Sequence, residues 1–273
     1  MNADAIRLDK RINITNLIDA VKPCTLTFTT NSIYVDSKHH GKYVYCDNGV
    51  RLHNREISYV SQFRRYFEKN AEHLEYDKTF LKWKRAYVKY FIESGKFDDV
   101  IEIDINNAYP TAGKILGIIP EKLYERGKSL SKFAMLVSIG SLHRQKRIVK
   151  VYADGKRKLI TKEERVPHLT DIWNSIVNFV DYSIQKSCAK AKGDVLFFYV
   201  DAIFVREKSA TKVAEELLKR GFSIKLIKVN SVEYRQNVIH CMSEEKSEKT
   251  YLMPKEYVST IDEIRKSYMS NNK

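Results

Sequence analysis

"DVLFFYVDAIFVRE", residues 194–207, is an apolar run interrupted by one acid. Its β-branched and aromatic residues favour strand over helix. An unpaired buried carboxylate is very costly, so Asp201 must meet a cation, a cluster of donors or a metal. If the run folds back on itself near that acid, it supplies two strands of one sheet. On its N-terminal side, "LTDIWNSIVNFVDYSIQKSCAKA" (169–191) carries Ile172, Ile176, Phe179, Val180 and Ile184 along one stripe, which predicts a long amphipathic helix. On its C-terminal side, "SATKVAEELLKRG" (209–221) predicts a helix capped by Ser209 and stopped by Gly221. "FSIKLIKV" (222–229) then alternates as a half-buried strand does.

A matching strand lies further upstream. "VIEIDINNAYPT" (100–111) alternates and then stops on Asp104, followed by two asparagines and Tyr-Pro. Taken alone, that stop fits a turn as well as a site, because Asp and Asn initiate turns and cap helices. With the other elements the order becomes β-α-β-β-α-β. The predicted fold class is therefore α+β and ferredoxin-like, an antiparallel sheet with two helices on one face. In that layout the first and third strands are central, so Asp104 and Asp201 converge on the same open face. Two acids that bridge hard divalent ions are recurring equipment for in-line phosphoryl displacement.

Bulk composition narrows the partners. The 273 residues hold 48 Lys+Arg against 34 Asp+Glu, a net charge of +14 that attracts polyanions, nucleic acid first among them. Seventeen tyrosines add the stacking surface that single strands use. No apolar run approaches the roughly 20 residues of a membrane span, and "MNADAIRLDKRINI" lacks a signal peptide's apolar stretch. An intracellular protein with no membrane partner is expected, in the host cytoplasm if phage-encoded. Cys24, Cys46, Cys188 and Cys241 show no CxxC spacing and suit buried thiols. In the N-terminal third, "TLTFTTNSIYV" (25–35) and "KYVYCDNGVRL" (42–52) predict strands, the second turning at Asp47-Asn48-Gly49. "ISYVSQFRRYFEKNAEHL" (57–74) and "DKTFLKWKRAYVKYFIESG" (77–95) predict helices, the latter from a capping Asp77 to Gly95. "RIVKVYADGKRKLITKEER" (147–165) predicts a basic hairpin turning at Asp154-Gly155. With Arg144, Lys146 and Arg147 leading into it and Lys156, Arg157 and Lys158 at its turn, it is either a phosphate-binding or a merely solvated hairpin.

"DINNAYPT" resembles motif A of family B DNA polymerases, D-x-x-S-L-Y-P-S, through Asp104, Tyr109 and Pro110. "FFYVDAIFV" is similar to motif C, Y-G-D-T-D-S-I-F-V, with Asp201 in the place of the second acid. "GKSLSKFAMLVSIG" (127–140) resembles motif B, Lys132 standing eight residues before Gly140 with Lys128 one helical turn earlier. "KTYL", with Lys249 and Tyr251, is similar to the K-x-Y element that follows motif C. The likeness is to reduced phage or mobile-element polymerases of the protein-primed type, without an exonuclease domain.

The resemblance implies roles residue by residue. Asp104 and Asp201 would hold two Mg²⁺ ions, or Mn²⁺ in their place, with the Ile105 carbonyl as a further candidate ligand. Lys132 and Lys128 would neutralise the incoming triphosphate. Tyr109 would underlie its sugar and exclude a 2′-hydroxyl, with Asn107 beside it, and Lys249 and Tyr251 would touch primer backbone. Expected partners are primer-template, dNTPs and a priming or accessory protein. Residues 1–98 would form an N-terminal α/β portion facing nucleic acid, and 99–252 a polymerase palm. Within the palm, a small helical fingers element falls at about 114–147 and the basic hairpin at about 148–165. Residues 253–273 would be a C-terminal tail. Departures qualify the match. Tyr199 stands where motif C has its first acid, and Leu136, Val137 and Ile139 replace the Asn, Ser and Tyr of motif B. A primase or RNA-synthesising palm, a catalytically inactive palm that only binds nucleic acid, and a plain RNA-binding module stay open as alternatives.

Overall fold

A computed structural model describes residues 5–8, 13–29, 32–46, 52–92, 94–144, 146–163, 165–235, 238–243, 246–252, 264 and 266–268. The elements begin with β1 (Ile6–Arg7), α1 (Ile14–Ala20), β2 (Cys24–Phe28), β3 (Ser32–Ser37), β4 (Gly41–Cys46) and α2 (Asn54–Asn70). There follow β5 (Val88–Tyr90), β6 (Gly95–Phe97), β7 (Val100–Ile105), α3 (Ala108–Ile115), α4 (Glu121–Lys128) and α5 (Lys132–Leu142). The remainder is β8 (Lys146–Val151), β9 (Arg157–Glu163), α6 (Pro167–Ala189), β10 (Val195–Tyr199), β11 (Ala202–Arg206) and α7 (Glu207–Lys219). Last come β12 (Ile224–Arg235), β13 (Val238–Ser243) and β14 (Lys246–Leu252).

Two compact units share the chain: residues 1–53, 143–166 and 258–273 form one, and 54–142 with 167–257 the other. These boundaries differ from a division at residue 98. Helix α2 and strands β5 and β6 belong to the second unit, whereas the hairpin β8–β9 belongs to the first because β8 pairs antiparallel with β2.

The first unit is a six-stranded sheet, β1-β4-β3-β2-β8-β9, antiparallel except where β1 meets β4. Alternation drives it: Cys24, Leu26 and Phe28 of β2 and Ile33 and Val35 of β3 are buried against Ile14 and Ile18 of α1. Asn13 starts that helix, its Oδ1 accepting from the Thr15 and Asn16 amides at 3.0 and 3.2 Å. The β8–β9 hairpin turns at Asp154-Gly155 as expected, with Gly155 at φ +83°. Tyr268, from the segment expected to be a tail, is buried in this core, and the Arg157 guanidinium lies 3.9 Å from its ring centroid. The expected turn at Asp47-Asn48-Gly49 lies outside the described residues.

The second unit is built on a sheet ordered β14-β13-β12-β7-β11-β10-β5, with β6 also on β12. Its central order β12-β7-β11-β10 is antiparallel throughout. On β7 the even-numbered residues Val100, Glu102 and Asp104 face one side, and Ile101, Ile103 and Ile105 the other. Helix α7 packs on β7, β11 and β12, and α6 packs on α7. Pro167 opens α6, where its missing N–H is no loss. Helix α7 begins at Glu207 rather than at a Ser209 cap, and the Ser209 hydroxyl instead donates to Asp194 at 2.6 Å. Cys24, Cys188 and Cys241 are buried thiols.

The helix expected over 77–95 does not form. Asp77 accepts from the Thr79 amide at 2.8 Å just before a single 3₁₀ turn, Thr79–Lys82, and the chain then runs extended into β5, an edge strand on β10. The backbone N–H groups of Ala86 and Tyr87 donate to the carboxylate of Asp181 on α6 instead of to carbonyls four residues back.

Gly127 gives a direct test of the helical packing. A Cβ there would lie 2.2 Å from the Tyr59 hydroxyl, which donates to the Leu123 carbonyl at 2.9 Å. Gly127→Ala is expected to destabilise the protein by about 1–3 kcal/mol through overpacking. Urea unfolding checks it: an unchanged midpoint would mean that α4 does not pack on Tyr59.

Candidate active site

Asp104 is the penultimate residue of β7 and lies opposite Ala202, the residue after Asp201. The Ile105 amide donates to the Asp201 carbonyl at 3.1 Å, which ties the two acid-bearing backbones together. Both carboxylates are half-buried. Among the described residues, neither has an ion-pair partner within 4.0 Å. Burial and the neighbouring Asp104 charge raise the Asp201 pKa, and the Lys132 ammonium opposes them.

The turn that carries Asp201 is tight. Tyr199 pairs with Ala202, leaving Val200 and Asp201 as a two-residue hairpin connection. Val200 has φ +56°, a left-handed conformation that hairpins of this length normally assign to glycine. For a β-branched residue this is a true outlier, costing on the order of 1–2 kcal/mol. Its amide is held by the Tyr87 carbonyl at 2.7 Å, and Tyr87 is itself at φ +56°.

Helix α3 places Tyr109 in its first turn, after Asn107 at φ +48°, whose side chain makes no cap hydrogen bond. The phenol pKa is pushed up by burial and then by the Asp201 charge. Lys132 opens α5 and is exposed. Lys128 is not a turn earlier on the same helix: it closes α4, 4.0 Å from Glu125, and Ser131 starts α5 by accepting from the Ala134 amide. Only Lys132 of the two acts on Asp201.

Lys249 and Tyr251 lie on β14. The Lys249 ammonium is 3.3 Å from the carboxylate of Glu102, and Tyr251 packs against Phe197, Tyr199 and Phe204. Tyr199 is thus an aromatic of the sheet core's edge. The hairpin cations are in the first unit. Arg157 donates to the Ser267 carbonyl at 3.0 Å and Lys156 pairs with Asp154, whereas Arg144 and Lys158 are exposed and Arg147 is partly exposed. Lys146 is a β8 residue whose side chain lies outside the description.

Three residues escaped the sequence reading. Glu102, 6% exposed, sits two residues before Asp104 on its face, a position legible as an acid inside "VIEID". Asp181, 4% exposed, lies among the apolar residues of α6 and accepts from Trp83 Nε1, Ala86 N, Tyr87 N and Gln185 Nε2. Arg85, within the segment expected to be helical, has its guanidinium 5.1 Å from the Tyr87 ring and 4.8 Å from that of Trp173.

A divalent cation suits this donor set. Two hard carboxylates stand together, like-charged, and among the described residues no ammonium or guanidinium is bound between them. Among the described residues no group of three His, Cys, Asp or Glu side chains converges on one point. A cation here would complete its shell with backbone carbonyl, water and ligand oxygens, as Mg²⁺ commonly does.

No protein-family model matches the chain, and no curated protein matches it. Among solved structures it is similar in fold to Phi29 DNA polymerase complexed with primer-template DNA and incoming nucleotide substrates, with a TM-score of 0.51 and 8% identity. The match covers 79% of this chain and 62% of that one, so the chain spans less than two thirds of the polymerase's length. At 8% identity the likeness is one of fold.

The electrostatics of the acid pair carry a stability signature. A carboxyl whose pKa rises on folding holds its proton more tightly in the folded state, so its contribution is lost as pH rises through the raised pKa. At neutral pH the Asp201 carboxylate therefore opposes folding. Asp201→Asn, in chelator at pH 7, is expected to raise Tm. The gain should fade as pH falls through the raised pKa and be gone well below about pH 4, where both states are protonated. A lowered Tm at pH 7 would show a structural carboxylate instead.

Proposed function

We propose that the chain is a template-directed DNA polymerase that extends a primer with dNTPs from Asp104 and Asp201. The observation that carries this reading is the pair itself: two half-buried carboxylates, free of cationic partners, at the ends of adjacent central strands. The strand order β12-β7-β11-β10 with α6 and α7 supports a ferredoxin-like palm, as does the polymerase-like fold. The motif order noted in the sequence, resembling family B, points the same way.

In this reading Asp104, Asp201 and the Ile105 carbonyl hold Mg²⁺, with Mn²⁺ as an alternative. Metal held by these residues would supply activation of the primer 3′-hydroxyl and charge neutralisation at the oxygens of the transferring phosphoryl group. Lys132, close enough to act on Asp201, neutralises triphosphate oxygens, an interaction that strengthens as charge develops. Lys128, at a helix end with Glu125, serves the same anion less directly. Tyr109 supports the sugar, and Asn107, its amide free of capping, flanks it. On the hairpin, Lys158, Arg144, Arg147 and Lys146 supply charge for nucleic-acid phosphate, with Lys156. Arg157, engaged with Ser267 and Tyr268, shapes the hairpin's packing.

One observation favours a second reading, a palm that binds nucleic acid without catalysis: Tyr199, packed on Tyr251, leaves two acids where motif C would add a third. Primer extension with Mg²⁺, dNTPs and NTPs tested separately, decides between them. Asp104→Asn and Asp201→Asn are each expected to lower the rate at least about a thousandfold with primer-template affinity retained. A folded Asp201→Asn protein that extends at the wild-type rate would refute the assignment.

Sugar choice gives a further outcome. Tyr109→Ala is expected to narrow the dNTP preference over NTP by about tenfold or more, chiefly through faster ribonucleotide incorporation. Discrimination that is strong in both proteins would place Tyr109 in the core and the gate elsewhere.

A further inference from the structure

The buried Asp181 carboxylate makes no contribution to the chemistry above, yet it is among the most heavily engaged side chains in the second unit. Among the described residues it has no ion-pair partner. Its charge is met by four N–H donors: Trp83 Nε1 at 2.9 Å, Ala86 N at 3.1 Å, Tyr87 N at 2.9 Å and Gln185 Nε2 at 2.5 Å. Three of the four come from one short segment, residues 83–87. Such donors compensate a buried carboxylate that would otherwise be very costly.

That segment leads to the site. Tyr87 is in the left-handed region at φ +56°, and across it the Val88 amide donates to the Ala86 carbonyl at 2.6 Å. This is a three-residue turn of the strained kind. The Tyr87 carbonyl accepts from the Val200 amide at 2.7 Å, and Tyr199 pairs with Val88. Val200, left-handed in turn, is bonded covalently to Asp201. Two strained backbones are therefore joined by a hydrogen bond, with the buried acid anchoring one and the site acid attached to the other. Strained conformations persist only where the surroundings over-determine them.

We propose that Asp181 is a positioning residue for Asp201, clamping the hairpin turn through the backbone of Ala86, Tyr87 and Val200. The proposal rests on the polymerase reading for its activity arm. Asp181 touches neither substrate nor metal; it fixes a carboxylate that does. A side chain that merely fastened residues 83–87 to α6 would not care which residue occupies position 200. A clamp on a strained turn would. Glycine adopts φ +56° without steric penalty, so Val200→Gly removes the need for the clamp.

The test is a double-mutant cycle of Asp181→Asn and Val200→Gly in the full chain. Two quantities are read: single-nucleotide kcat, and Mn²⁺ affinity from the free-ion electron paramagnetic resonance signal with dideoxy-terminated primer-template and dNTP. Asp181→Asn is expected to lower kcat by about tenfold or more and to weaken Mn²⁺ binding about threefold, with primer-template Kd little changed, since sub-ångström misplacement suffices for such losses. In the Val200→Gly background the effect of Asp181→Asn on kcat should shrink to less than about threefold. Wild-type kcat and Mn²⁺ affinity in Asp181→Asn, or an equal loss in both backgrounds, would overturn the clamp. If circular dichroism shows Asp181→Asn unfolded, Asp181→Glu takes its place in the same cycle, with the same outcomes deciding. A wild-type chain that extends no primer refutes the polymerase reading, while the Mn²⁺ arm still tests the clamp.

Discussion

The register of β7 between β11 and β12 is the constraint on which the site depends. It sets Asp104 opposite Ala202 and so brings two like charges to one end of the sheet. Nothing in their own chemistry favours this, since like charges repel. Backbone bonds hold them: Ile105 N–H to the Asp201 carbonyl, and Asn106 N–H to that of Ser223 at 2.8 Å. The register is in turn fixed by the opposite face, where Ile103, Ile105, Ile203 and Val205 are fully buried. A slip of one residue would send Asp104 into that apolar layer and Ile103 out of it. The core thus specifies the site, and the apolar residues contribute the free energy that keeps the acids together.

Three buried or half-buried acids in the second unit show three electrostatic solutions. Glu102 has an ammonium, Lys249, at 3.3 Å. Asp181 has four N–H donors. Among the described residues Asp201 has no ammonium in contact and no such set of donors, only its own backbone N–H; burial and a like charge act against it, eased by the field of Lys132. The first two are compensated within the protein; the third is compensated only in part. This contrast, more than burial alone, sets Asp201 apart from Glu102 and Asp181.

How much was legible follows from the range of the forces involved. Strands β7, β10, β11 and β12 and helices α6 and α7 declare themselves through local apolar periodicity, and the acid pair through an Asp inside "LFFYVDAIFV". Residues 77–95 misled because Phe80, Tyr87 and Phe91 have helical spacing, while the group that claims the backbone donors, Asp181, lies 94 residues beyond Tyr87. Lys128 and Lys132 looked like one helical face because they are four residues apart. The break between them was nonetheless written locally, in Ser131, a capping residue. The Glu102–Lys249 pair was half visible: the acid stood out in its strand, but its partner is 147 residues away.

That pair also changes what Lys249 means. The resemblance gives it a place on primer backbone, as a free cation. In the structure its ammonium stands against a carboxylate whose side chain is 8% exposed, while its own is 37% exposed. The asymmetry decides which partner depends on the other. Lys249 could keep its charge in water without Glu102, but Glu102 without Lys249 would be an uncompensated buried charge beneath Tyr251 and beside the acid pair. Removing one partner of a buried pair typically costs several kcal/mol, far more than the pair's net worth. Replacing Lys249 therefore disturbs the sheet and the field at Asp201, on which Glu102 already acts, before it removes any contact with a ligand. Methionine, which keeps the stem and drops the charge, paired with Glu102→Gln, isolates the phosphate contact from that disturbance.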